Sequence, residues 1–114
     1  MNIIRTMNGA QLDKKELYKL TMSDTTTSIK TLEDNTQLDV SNYCEYEDID
    51  SEGKTQHLLS LKTDIGYFAT NSETFIRNFL KIADLFEDEG VIGIVKISGV
   101  TKSDRPFVNV TLAD

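Results

Sequence analysis

The chain has 114 residues, 39% of them hydrophobic and 27% charged, with a net charge of −7. A chain of that length buries somewhat under ~70% of its unfolded surface, which suffices for one core and no second lobe. No apolar run approaches the roughly 20 residues of a membrane-spanning helix, a single cysteine excludes an internal disulfide framework, and Cys44 with the lone His57 is too small a set for structural zinc.

The net charge argues against a nucleic-acid partner, because phosphate contacts supply most of that affinity. The acids are local, however. Residues 33–53 hold eight acids and no Lys or Arg, residues 84–90 hold four more, and the remainder is mildly basic. Both blocks read as solvated faces that favour solubility, with partner docking as the alternative.

In chain order, Met1-Asn2-Ile3-Ile4-Arg5 lacks the features of a secretory signal, so a cytoplasmic location is expected. Asn8-Gly9 marks a turn, and Glu16 to Met22 reads as a first strand, although the preceding lysines also suit a short helix. Ser23 to Ser28 is a polar turn. Thr36 to Ile49 is a β-rich run closed by Asp50-Ser51-Glu52-Gly53, a hairpin signature, and the return strand covers His57 to Thr70 with a bulge or kink at Asp64-Ile65-Gly66. Asn71 or Ser72 then caps an amphipathic helix carrying Phe75, Phe79, Ile82 and Phe86 on one face, with Gly90 placed to end it. Its acidic last turn has the wrong sign for a helix C-terminus. Two strands, Val91 to Val100 and Pro106 to Leu112, complete the chain.

The expected fold is therefore mainly β, a single domain over residues 1–114: a five-stranded OB-like barrel with one α-helix between strands 3 and 4. Alternation places Val108, Val110 and Leu112 inward and Phe107, Asn109 and Thr111 outward, with Val95 and Ile97 inward and Ile94, Lys96 and Ser98 outward.

No glycine-rich phosphate loop, nucleophile elbow or second histidine is present, so enzyme activity is not expected, and nothing implies a cofactor or metal. The run from Asp48 to Gly53 lacks the flanking helices and the twelfth-position Glu of a calcium loop. Cys44 and His57 read as structural strand residues. Sequence-tolerant binding of single strands needs aromatic faces for the bases and cations for the phosphates. Phe107, Tyr67 and Tyr43 are the candidate aromatics, and Arg105, Lys102, Lys96, Lys62 and Lys54 the candidate cations. Tyr43 shares its parity with Asp39, Glu45 and Glu47, which would repel phosphate unless the strand bulges. Tyr46 and one of Tyr67 and Phe68 belong to the core.

The segment Ser28-Ile29-Lys30-Thr31-Leu32-Glu33-Asp34-Asn35-Thr36 resembles the Ser-aromatic-Lys-x-Leu-x-Asp-Gly-Thr segment of the small single-stranded-DNA-binding proteins of protein-primed tailed phages and related mobile elements, with Ile29 and Asn35 as departures. Tyr67 to Ser72, Val95 to Ser103 and Phe107 to Leu112 resemble that family's C-terminal half in order and length. The resemblance implies an OB-like protein that coats and protects single-stranded DNA during replication without sequence specificity. Single-stranded DNA is then the implied partner, with replication proteins and a second copy as further candidates, and the location is the host cytoplasm if the chain is phage-encoded. The bacterial-type binding proteins carry an acidic recruiting tail, whereas Thr111-Leu112-Ala113-Asp114 follows the last strand directly. The alternative is an acidic interaction module that docks on a host or phage protein and ignores DNA.

Overall fold

A computed structural model describes residues 1–23 and 26–113. The expected polar turn from Ser23 to Ser28 falls partly on Asp24 and Thr25, which lie outside the described residues. The chain forms β1 (Asn2–Thr6), α1 (Lys14–Thr21), β2 (Thr27–Ser28), β3 (Thr36–Ile49), β4 (Thr55–Thr63), β5 (Gly66–Thr70), α2 (Glu73–Phe86), β6 (Ile92–Val100) and β7 (Pro106–Leu112). The seven strands make one curled, mixed sheet in the order β2-β5-β4-β3-β6-β7, with β1 also paired to β3.

The mainly β class and the curl agree with expectation; the five-strand count and the helix position do not. Residues 16–22, expected as a strand, form most of α1 and its C-cap, Met22. Asp13 caps this helix, its carboxylate accepting from the Glu16 N–H at 2.7 Å, and Leu20 is buried beneath it. An N-cap Asp with Glu at the third helical position is a strong local start signal, and it outweighs the apolar content of the run. The expected single return strand is two: Thr63 pairs with Gly66, so Asp64-Ile65 is a hairpin turn rather than a kink. With β1 and β2 added, the long helix α2 falls between the fifth and sixth strands.

The 14-residue β3 organises the sheet. Along one edge it pairs with β4; along the other it pairs first with β6, from Thr36 to Val40, and then with β1, from Cys44 to Glu47. A register shift between Val40 and Asn42 inserts an extra residue. The bulge flips parity, so Tyr43 points inward with Leu38 and Val40, while Cys44 and Tyr46 point outward. The sheet therefore has two apolar clusters. The concave side packs on α2 through Phe75, Ile76, Phe79 and Ala83, with Tyr43 and Phe79 edge to face at 5.2 Å and 80°. That ring pair adds about 0.5–1.5 kcal/mol beyond its burial. The convex side is covered over β3, β4 and β5 by α1, where Leu20 meets Cys44 and Tyr46, packed with Leu12, Leu58 and Tyr67.

Ser72 is the cap of α2, accepting from the Phe75 N–H, and after a 3-10 turn over Glu87–Glu89 the chain leaves through Gly90 at φ 91°. The acidic helix end has a structural use. Glu87 accepts hydrogen bonds from the Asn8 N–H (2.5 Å), the Tyr43 hydroxyl (3.0 Å) and the Arg5 guanidinium (2.5 Å), and Arg5 also reaches Asp84 at 2.8 Å. One carboxylate thus ties β1 and its following turn to the core strand β3 and to the end of α2. The other end of α2 is held by His57, whose Nε2 meets Glu45 at 2.6 Å and whose Nδ1 meets Glu73 at 2.8 Å. Burial opposes the imidazolium, but the two carboxylates outweigh it and raise its pKa. Cys44 is a free, buried thiol raised to about 11, chiefly by burial.

Burial disfavours the Glu87 carboxylate, yet the Asn8 N–H, Arg5 and Tyr43 together hold its pKa below the ordinary 4.5. A depressed carboxyl stabilises the fold above its unfolded pKa, and that stability is lost as pH falls through the folded pKa. Glu87→Gln is therefore expected to cost about 1–3 kcal/mol at neutral pH. Urea midpoints measured between about pH 3 and 7 should show a smaller acid-side loss in the variant than in the parent.

Candidate nucleic-acid interface

The convex side of the sheet is bare where α1 ends. In the antiparallel ribbon β6–β7, Val95 lies opposite Thr111, Ile97 opposite Asn109 and Gly99 opposite Phe107. Val95, Ile97, Gly99 and Phe107 share the outer face, because alternate positions Ile92, Ile94, Val108 and Val110 are in the core; Asn109 turns to the β7 edge, where it accepts from the Asn78 side chain of α2 at 2.7 Å. Val95, Ile97 and Phe107 are half-buried and belong to neither apolar cluster. The Phe107 ring lies against Gly99: a Cβ added there would stand 2.7 Å from its Cζ. Glycine at this position lets the ring lie flat on the neighbouring strand.

The turn joining the two strands supplies the cations. It is closed by the Thr101 N–H donating to the Arg105 carbonyl and the Asp104 N–H donating to the Thr101 carbonyl, both at 2.9 Å, with Asp104 at φ 60°. Lys102 and Arg105 are exposed, and among the described residues neither makes an ion pair. A face of one aromatic and two aliphatic side chains, ending in two free cations, suits a stacked base whose phosphate runs past the turn.

Of the residues expected to touch DNA, the structure brings together Phe107, Arg105 and Lys102. Lys96 is withdrawn from them. It points inward at 5% side-chain exposure, and its ammonium donates to the Leu32 carbonyl (2.8 Å), Asp34 (2.9 Å) and Ser98 (3.1 Å). An ammonium has three donors, and all three are used. Asp34 is held below its ordinary pKa by hydrogen bonds from Ser98 and Lys96. Strand β6 thus has the reverse of the expected orientation: Ile94 and Lys96 face in, while Val95 and Ile97 face out. Leu112, expected in the core, is 41% exposed.

The other candidates lie elsewhere. Tyr43 is fully buried, brought inward by the β3 bulge. Lys62 and Tyr67 are cross-strand partners on the face beneath α1, where Glu16 accepts from the Tyr67 hydroxyl at 3.3 Å and stands 3.7 Å from the Lys62 ammonium. Lys54 is at the β3–β4 hairpin tip, 3.8 Å from Glu52 and at the opposite end of β3 from β6. Tyr46 and Phe68 are core residues as expected.

Two features were not expected from the sequence. Val95 and Ile97 add apolar area beside Phe107, and Lys30 lines a groove of about 250 Å³ together with Lys96, Ser98, Pro106, Phe107 and Val108. Lys30 sits in a short 3-10 turn where its N–H donates to the Ser28 hydroxyl at 3.3 Å, and its neighbour Ile29 is fully buried. A lysine directly after an anchoring Ile, in a segment already singled out, was the available signal. No family model, no curated protein and no solved structure matches this chain.

The two groups of lysines should separate by measurement. Lys96→Met strands the Leu32 carbonyl and leaves Asp34 with Ser98 alone, and is expected to cost about 1–3 kcal/mol in chemical unfolding. The same variant should leave the salt dependence of oligonucleotide binding unchanged.

Proposed function

We propose that this chain binds single-stranded DNA without sequence specificity, coating and protecting it during replication of a phage or mobile element, and that it does so without catalysing a reaction. The observation that carries the reading is the uncovered face of β6–β7, where Phe107, Ile97 and Val95 lie beside the Lys102–Arg105 turn. The resemblance of residues 28–36, 67–72 and 95–112 to phage-type binding proteins supports it.

The net charge of −7 is compatible with this function because most of the acids are displaced from the face, although Asp104 lies in the turn itself and Asp34 is engaged by Lys96 and Ser98. Strand β6 pairs with β3 between Thr36 and Val40, whereas Glu45, Glu47, Asp48, Asp50 and Glu52 lie further along β3 and at its hairpin tip. At about 3.3 Å per residue the hairpin tip is tens of ångströms from the Thr36 end. The Debye length at physiological salt is about 8 Å, so repulsion from that block is largely screened at the face. With two free cations, affinity is moderate and salt-dependent, and stacking carries much of it.

Fluorescence anisotropy of a labelled oligo-dT tests the reading. Salt-sensitive binding at low micromolar protein is expected, Phe107→Ala should weaken it by about 1–3 kcal/mol, and Lys102→Ala should lower the log–log salt slope by about 0.7. None of the four tyrosines lies on the face, so their emission should stay unquenched. Absence of salt-sensitive binding, or equal affinity in both variants and parent, would refute the proposal.

A further inference from the structure

The groove beside Lys30 lies across the β6–β7 ribbon from the outer face. Its strand residues Lys96, Ser98 and Val108 have the opposite parity to Val95, Ile97 and Gly99, yet Phe107 lines the groove as well as belonging to that face. The two surfaces therefore meet at one aromatic residue. Pro106 continues the groove wall, and β7 ends the strand order, so among the described residues no further strand stands beside it. The turn that carries Lys102 and Arg105 closes the ribbon between its two sides.

The polar residues of the groove differ in what they have left to offer. Lys96 spends its three donors on the Leu32 carbonyl, Asp34 and Ser98, and the Ser98 hydroxyl donates to Asp34 at 2.6 Å, so the charge of that carboxylate is matched within the fold. Lys30 is uncommitted: it is exposed, and among the described residues its ammonium makes no ion pair. Its backbone, by contrast, is fixed. Ile29 beside it is fully buried, the Leu32 N–H donates to the Ile29 carbonyl at 3.1 Å, and the Thr31 hydroxyl donates to the Ser28 carbonyl at 2.7 Å. The one charge the groove has free is thus positive and held on a rigid turn, which calls for an anionic occupant. Size limits that occupant further. At about 250 Å³ the groove is smaller than the roughly 300–1,000 Å³ of pockets that enclose a drug-sized ligand, so it has room for one flat ring and an open rim for the rest of a longer chain.

We infer that this groove takes one nucleotide of the bound strand, its base against the wall of Pro106 and Phe107 and its phosphate on Lys30. Single-stranded DNA then bends over the free end of the β6–β7 ribbon, past Lys102 and Arg105, instead of lying on the outer face alone. The inference rests on the DNA-binding proposal and adds to it a second subsite and a third cation.

The test compares the parent with Lys30→Ala and Lys54→Ala in oligo-dT anisotropy across a salt series. Lys54 is an exposed lysine at the distant β3–β4 hairpin tip, so its variant controls for the loss of one positive charge. Lys30→Ala is expected to lower the log–log salt slope by about 0.7, the loss of one phosphate contact, and Lys54→Ala to leave it unchanged; thermal melts check that both fold. In the isotopically labelled parent, oligo-dT should move the resonances of Lys30, Ser98 and Val108 together with those of Phe107, and thymidine monophosphate at the same concentration should leave them in place. If the parent binds and Phe107→Ala weakens it, but Lys30→Ala keeps the parental slope, both lysine variants lower it equally, or Lys30 and Ser98 stay unmoved, the strand keeps to the outer face and this inference alone fails. Thymidine monophosphate bound as tightly as oligo-dT would make the groove a pocket for a free ligand and would likewise overturn it. Absence of salt-sensitive binding by the parent would remove the DNA-binding proposal and this inference with it.

Discussion

Glu87 is the carboxylate on which the arrangement of this small sheet depends. It stands just past the end of α2, where the helix dipole disfavours a negative charge, and it is retained there by three donors from the N-terminal region and from β3. Without that joint, β1 would keep its ladder to β3 and the Arg5–Asp84 pair, and Tyr43 would lose the carboxylate partner of its hydroxyl. At the opposite end of the helix, His57 performs a similar service between Glu45 and Glu73. The two clasps fix α2 across the concave side of the sheet, and the concave side is thereby used up in packing. Binding by the strands is then left to the convex side and to the small groove beside Lys30 at the β6–β7 end.

The convex side is divided unequally. Helix α1 shelters the part made by β3, β4 and β5, and Glu16 engages both Lys62 and Tyr67 there. The ribbon β6–β7 has no such cover. Its Phe107 rests on Gly99, its aliphatic neighbours face solvent, and its turn carries two cations that nothing within the described chain neutralises. The proposed binding thus follows from where the packing stops, and from the position of the acids of residues 45–52 and 84–89 at the far end of β3 and at the end of α2.

Much of the fold was legible in the sequence. The capping Ser72, the apolar face of α2, the stop at Gly90, the hairpin at Asp50–Gly53 and the core positions Val108 and Val110 all follow from local patterns. What was not legible depended on contacts distant in sequence. Residues 92–97, Ile-Gly-Ile-Val-Lys-Ile, are apolar at both parities, so alternation does not decide which side faces in; the Lys96 bond to Asp34, 62 residues away, does. The inward turn of Tyr43 required a bulge at Ser41 that no residue there announces. The helix α1 is the reverse case: its capping signal at Asp13 and Glu16 is local, and it competes with an apolar run that also suits a strand. For the binding face, Phe107, Arg105 and Lys102 were identifiable, whereas Ile97 and Val95 became visible only when the strand orientation was known; Lys30 belongs to the groove on the opposite parity, with Lys96, Ser98 and Val108.

The central claim is that single-stranded DNA lies on the uncovered β6–β7 face and not on the sheltered one. The most direct measurement is a titration of the isotopically labelled protein with oligo-dT, followed by amide and side-chain resonances. The account predicts shifts at Ile97, Gly99, Lys102, Arg105 and Phe107, with Leu58, Lys62 and Tyr67 unmoved. Shifts centred on Lys62 and Tyr67, or binding that leaves the Phe107 ring unperturbed, would contradict it.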